Sequence, residues 1–116
     1  MKFTVEFYET ENGATPVREF LEDLKGSDPD GFAAVVAGLS KLHNRQYHRP
    51  PLSKALGEGL FELRHIGKLN TRVLWFFMEH QRIVAVHGIR HKGQAIPVRD
   101  LEIARVRMSD WMRRNR

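Results

Sequence analysis

Leu60-Phe61-Glu62-Leu63-Arg64, then Thr71-Arg72-Val73-Leu74-Trp75-Phe76-Phe77-Met78, then Arg82-Ile83-Val84-Ala85-Val86-His87-Gly88-Ile89: these three runs are separated only by short polar stretches around Gly67-Lys68 and Glu79-His80-Gln81. β-branched and aromatic residues at this density, bounded by turn formers, read as strands over Leu60–His65, Thr71–Met78 and Arg82–Ile89. Turns this short join neighbours that run in opposite directions, so the three form an antiparallel meander. The middle run is apolar at nearly every position, the pattern of a central strand covered on both faces. Helices must therefore pack on the sheet.

The flanking sequence supplies them. Lys2 to Tyr8 alternates Phe3, Val5, Phe7 with Thr4, Glu6, Tyr8, the period of a strand with one face on a core, here expected at an edge of the meander. After a turn at Glu11-Asn12-Gly13, Thr15-Pro16 opens a helix near 16–25, with Val17, Phe20, Leu21 and Leu24 on one stripe. Asp28-Pro29 repeats the signal for a second helix near 29–45, striped by Phe32, Val35, Val36, Leu39 and Leu42, which completes an αα-hairpin. Tyr47 to Leu60 holds Pro50-Pro51, Gly57 and Gly59 and reads as a basic loop carrying His48, Arg49 and Lys54. From Pro97, Val98, Leu101, Ala104, Met108, Trp111 and Met112 step by three or four, marking a helix near 97–114 whose other face carries Arg99, Arg105, Arg107 and Arg113. The expectation is one α+β domain over 1–116: an antiparallel sheet with an N-terminal strand and αα-hairpin, a three-strand meander and a C-terminal helix.

Composition narrows the function. A chain of 116 residues that is 41% hydrophobic closes one modest core. Its longest apolar run, Val73–Met78, is far short of a membrane span, and the N-terminus lacks a signal-peptide pattern, so a cytoplasmic location is expected. With no cysteine there is no thiolate nucleophile and no cysteine-based zinc site. The six histidines lack the close helical pairing of zinc hydrolases, so neither a metal nor another cofactor is expected. Net charge is +5, and it is unevenly spread: residues 1–30 hold three Lys/Arg against eight Asp/Glu, the remainder 16 against six. A basic surface built from the later segments points to a polyanionic partner.

Arg64 closes the first strand of the meander and Arg72 opens the second, so the turn between them brings two guanidinium forks to one end of the sheet. Such forks bind phosphate oxygens bidentately and stay charged at any working pH. Arg90, His91 and Lys92 end the third strand and add to the cluster, while Lys54, His65, His87 and Arg90 are the candidate RNA contacts. RNA carries its own nucleophile: a 2′-hydroxyl attacks the adjacent phosphorus once its proton is removed and the charge growing on the phosphoryl oxygens is stabilised. Arg64, Arg72, His91 and Lys92 are the candidate catalytic residues, with His91 the preferred base or acid. His87, between Val86 and Gly88, reads instead as a hydrogen-bonded structural histidine. Trp75 and Trp111 fall at core positions rather than on a base-stacking surface.

Gly59-Leu60-Phe61-Glu62-Leu63-Arg64, Arg72-Val73-Leu74-Trp75-Phe76, Val86-His87-Gly88-Ile89 with Lys92, then Pro97 and Ala104 with Arg107, resemble in order and spacing the phage-derived branch of HigB toxins in the RelE/ParE superfamily. The resemblance spans nearly the whole chain. It implies a RelE-like fold and a ribosome-associated endoribonuclease of messenger RNA, held inactive by a helix-turn-helix, HigA-like antitoxin. It places Arg64, Arg72 and Lys92 on the family's basic active face. Two departures stand out: Trp75 where relatives often carry tyrosine, and His91-Lys92 with Ile96-Pro97 where they carry a Lys-Lys pair and a threonine before the proline. Two other readings compete with the nuclease. One is a ParE-like, non-catalytic inhibitor of a topoisomerase such as DNA gyrase, and the other is a nucleic-acid-binding module whose cations only contact phosphates.

Overall fold

The computed structural model describes residues 2–64, 70–91, 93 and 95–115. In chain order the elements are β1 (Thr4–Phe7), α1 (Pro16–Ser27), α2 (Pro29–Lys41), a 3-10 turn at Arg45–Tyr47, β2 (Ser53–Gly57), β3 (Leu60–Arg64), β4 (Asn70–Met78), β5 (Arg82–His91) and α3 (Val98–Arg114). The five strands form one sheet in the order β1-β5-β4-β3-β2. The meander β3-β4-β5 is antiparallel as expected, and the apolar run of β4 occupies the centre, with Val73, Leu74, Trp75 and Phe76 all fully buried. β1 is an edge strand, but it runs parallel to β5, from which it is separated in sequence by the whole of the αα-hairpin and the meander, and the αα-hairpin carries the chain from this edge of the sheet to the opposite one.

The expected loop over Tyr47 to Leu60 is a correction. Ser53 to Gly57 pairs with β3 as a fifth strand, β2, and the tight turn Gly57-Glu58-Gly59 has positive φ at all three residues (96, 53 and 84°). The two glycines adopt that conformation without steric cost. The prolines only displaced the strand to start after them. Smaller differences concern one helix boundary and three side chains. α2 ends at Lys41 rather than near Arg45. Val36 is exposed on α2, and Val98 and Met112 are exposed on α3, because each lies just off the strip that meets the sheet.

Both faces of the sheet are covered, each by a different core. On one, Val17, Leu21 and Leu24 of α1 and Val35 and Leu39 of α2 meet Leu63, Val73, Trp75, Ile83 and Ala85. On the other, Ala104 and Trp111 of α3 meet Leu60, Leu74, Phe76, Val84, Val86 and Ile89. Trp75 and Trp111 are core residues, as their positions indicated. Trp75 stacks on Phe61 at 4.7 Å between ring centroids, and His48 packs against the same group through Trp75 and Phe77 while its Nε2 bonds the Leu42 carbonyl oxygen at 2.7 Å. His48 is thus a half-buried residue held against this aromatic group by ring contacts and a backbone bond, not a side chain projecting from a loop. Asp28 caps α2 by accepting from the Gly31 N–H at 3.0 Å, whereas Thr15 makes no side-chain cap to α1.

Candidate nucleic-acid interface on the α3 face of the sheet

Strand alternation decides which polar residues meet. Leu60, Glu62 and Arg64 point to the α3 side of β3, while Phe61 and Leu63 point to the α1/α2 side. The ladder sets Lys54 of β2 opposite Glu62 and Glu62 opposite Leu74, which in turn faces His87. One step along, Arg64 faces Arg72, which faces Ile89. Lys54, Glu62, Arg64, Arg72 and His87 therefore share one sheet face over two neighbouring rows, just beyond the first turn of α3. A cleft of about 200 Å³ opens there between Lys54, Glu62 and Arg64 on the sheet, Ile96 just before α3 and Leu101 in its first turn.

The two arginines are neighbours, but they are not equivalent. Arg64 keeps 35% of its side chain exposed and lies 3.2 Å from Glu62 through Nε. Arg72 is only 2% exposed and reaches the other Glu62 oxygen at 3.8 Å. Both sit at strand ends, as their positions indicated, but only Arg64 is accessible from solvent. Arg72 lies in the central strand, one residue from Val73, with sheet on both sides. Like charges directly opposite each other repel, and Glu62, itself 4% exposed, is the carboxylate that lets this pair exist. Glu62 is the residue that reading by charge clusters missed. Its signal was there: a lone acid in an apolar strand, in phase with the arginine two positions on.

The remaining candidates are distributed differently. Lys54 is exposed at the mouth of the cleft. Arg90 turns to the opposite face, where it bonds Ser27 Oγ at 2.8 Å and lies 3.6 Å from Asp28, so it anchors the α1–α2 junction instead of joining the cleft. His87 is on the α3 face but is bound on both sides: Nε2 lies 2.7 Å from Asp100 Oδ1, and Nδ1 lies 3.0 Å from the Arg107 guanidinium, which also donates to the Val86 carbonyl at 2.8 Å. Because arginine only donates, Nδ1 accepts and the ring proton sits on Nε2, toward Asp100. Burial lowers the Arg107 pKa from its ordinary value. His87 is the hydrogen-bonded structural histidine that its surroundings indicated, and Asp100, 13 residues away, is a partner that no local pattern announces. His91 closes β5, but its side chain lies outside the described residues, as do His65 and Lys92. Among the described residues no three His, Asp or Glu side chains gather as a metal site, and no helix is long and apolar enough to cross a membrane.

A mostly antiparallel five-stranded sheet, with an αα-hairpin on one face and a C-terminal helix on the other, fits the RelE-like toxin class of α+β folds. Residues 22–109 match the model of the phage-derived Gp49-like (DUF891) proteins, and the chain belongs to that family, a toxin-like branch of the RelE/ParE-like superfamily. A comparison with curated proteins returned no match.

Proposed function

We propose that this chain is a HigB-type toxin of a toxin–antitoxin pair, an endoribonuclease that cuts messenger RNA on the ribosome without a metal ion and so stops translation in the cytoplasm. A helix-turn-helix, HigA-like antitoxin is its expected partner. The observation that carries the reading is the cleft at Lys54 and Arg64, two accessible cations beside a carboxylate-held arginine on the sheet face next to α3. In that cleft Arg64 receives a phosphoryl oxygen in place of Glu62, and Lys54 neutralises a neighbouring phosphate. The 2′-oxygen attacks the adjacent phosphorus and the bond from phosphorus to the 5′-oxygen breaks, leaving a 2′,3′-cyclic phosphate and a 5′-hydroxyl. The 2′-hydroxyl proton passes to a base and the 5′-oxygen takes a proton as it leaves, roles for which His91 and Lys92 are the candidates. Arg72 acts through Glu62, fixing the carboxylate that aims Arg64, and so is a positioning residue in this scheme.

The deciding experiment adds purified protein to translating ribosomes on a defined messenger RNA, with and without EDTA, and maps RNA ends. New ends with cyclic phosphates, unaffected by EDTA and absent with Arg64→Ala, support the nuclease. Intact RNA, with a topoisomerase inhibited instead, overturns it in favour of the ParE-like reading.

A further inference from the structure

The cleft that Lys54 and Arg64 border is not polar throughout. Leu56 of β2, Ala95, Ile96 and Leu101 make up the rest of its lining, an aliphatic wall facing a single carboxylate, Glu62. Its volume of about 200 Å³ admits one flat base, and the wall is fixed from behind, because Asp100, next to Leu101, is bonded to His87 of β5. An unstacked base is read in such a setting, its faces against apolar side chains and its Watson–Crick edge hydrogen-bonded. The larger groove on the α1/α2 face, about 740 Å³ between α2 and the Arg45–Leu52 segment, has only basic charged residues, Lys41, Arg49 and Arg64, and so offers no carboxylate to read a base edge. We propose that the cleft is a nucleobase subsite selective for guanine, with Glu62 as the residue that reads the base.

The partners of Glu62 set this choice. One carboxylate oxygen lies 3.2 Å from Arg64 Nε and the other 3.8 Å from Arg72 Nε. When Arg64 turns to a phosphoryl oxygen, Arg72 keeps its place in the central strand, and Glu62 is left with an oxygen that has lost its donor and is shielded from water, since its side chain is only 5% exposed. A buried acceptor without a donor costs more than the lost bond contributed, so an occupant that returns an N–H is favoured. Guanine presents two donors side by side, N1–H and the N2 amino group, which match the two oxygens of a carboxylate and leave each oxygen a lone pair for an arginine. Adenine and cytosine set a ring-nitrogen lone pair beside their one amino group, and uracil flanks its N3–H with two carbonyl oxygens. In each of these three an acceptor faces the carboxylate. The selectivity rests on the assignment of the cleft to RNA made above.

The test measures, by fluorescence anisotropy, binding of the full chain to labelled 2′-O-methyl uridine octamers with one central position varied: guanosine, adenosine, cytidine, uridine, inosine, which lacks the N2 amino group, or 1-methylguanosine, which lacks N1–H. The methyl ethers block the attacking hydroxyl, so binding is read apart from cleavage, which is mapped in parallel on ribosome-bound messenger RNA. The guanosine octamer is expected to bind the wild-type protein about tenfold more tightly than the uridine octamer, a usual discrimination for a two-bond base contact. Inosine should fall between them, and 1-methylguanosine should bind no better than uridine. Glu62→Gln keeps one acceptor for Arg72 but sets a donor against guanine's own donors, so its octamers should bind alike to within about twofold. Wild-type binding that is equal for all octamers or absent for all, or a guanosine preference retained by 1-methylguanosine or by a folded Glu62→Gln, overturns the proposal. Should Glu62→Gln fail to fold, the base analogues decide with the wild-type chain alone. A guanosine preference without cleavage keeps the subsite and removes the nuclease, whereas cleavage with all octamers bound alike keeps the nuclease and overturns the subsite.

Discussion

Arg64 and Arg72 face each other across β3 and β4, yet alanine should affect them in opposite ways. Arg64 is half in water, and substitutions at such positions typically cost within about 0.5 kcal/mol. Arg64→Ala should therefore melt close to wild type while losing RNA cleavage by a factor on the order of 10²–10³, the usual loss when a charge-stabilising donor is removed. Lysine should restore part of the activity, because it offers a point charge instead of a fork. Glu62→Ala takes the carboxylate from between two arginines, one of them buried, and should cost up to about 3–5 kcal/mol, whereas Arg72→Ala leaves Glu62 paired with Arg64 and should cost less than that but more than Arg64→Ala. Urea unfolding of the three variants separates them, and an Arg72→Ala midpoint within error of wild type would show that the buried pair holds nothing. The sequence made the proximity of the two arginines legible, since strand ends joined by a short turn leave few alternatives. It did not show their unequal burial, which arises because Arg72 has a strand partner on each side, Arg64 and Ile89, whereas Arg64 lies one residue past the last β2–β3 pair, Ser53 with Leu63.

At the scale of elements, α3 is pinned at both ends by polar contacts over an apolar middle. Near its start, Asp100 and Arg107 hold His87 of β5. His87→Ala removes two bonds to charged groups, each worth about 1.5–3 kcal/mol, so amide exchange in the first turns of α3 should accelerate while the α1–α2 pair stays protected. Equal acceleration in both layers would contradict a local role. Near its end, Asp110 accepts from Tyr8 at 2.6 Å and pairs with Arg113 and Arg114. Hydrogen bonds from Arg114, Tyr8 and Arg113 hold the Asp110 carboxyl well below the ordinary carboxylate range. A depressed folded-state pKa contributes stability that is present above the unfolded value, about 3.9, and is lost as pH falls through the folded one. Acid unfolding below about pH 4 should therefore be steeper in the wild type than in Asp110→Asn, with the two stabilities converging at the acid end. Parallel curves would show that the contact adds nothing. The Tyr8 hydroxyl moves the other way, raised first by burial and then by its bond to Asp110, so its contribution is complete below about pH 10 and fades above. The helix itself was legible from its three-and-four spacing, but Asp100, Arg107 and Asp110 look in sequence like ordinary members of a charged face. Only the docking of α3 on β5 turns them inward.

Across the whole molecule, the two sheet faces divide the work that the charge count had pooled. The α3 face holds the cleft with Lys54 and Arg64, and the α1/α2 face holds Arg90 at a helix junction and the groove with Lys41 and Arg49. RNA binding through so few accessible cations should be modest in its salt dependence. With Lys54, Arg64 and Lys92 each meeting one phosphate, a plot of log affinity against log salt should have a slope of about −2. A slope near −7 would require about ten phosphate contacts and so a far wider interface than the cleft. The difference arises because net charge is additive over the chain, whereas a bound phosphate meets only the cations that one face presents.

Local pattern alone determined the meander, the αα-hairpin, the long C-terminal helix and the burial of both tryptophans, because apolar periodicity and turn chemistry act within a few residues and every level of the pattern agreed. The tertiary structure decided what depends on contacts between distant segments. It set the parallel direction of β1, the recruitment of Ser53–Gly57 as a strand, the face on which each cation stands and the burial of Arg72 against Glu62. Those features turn on which surfaces meet after collapse, and a charged residue reads alike in sequence whether it faces water, a carboxylate or the far side of a sheet.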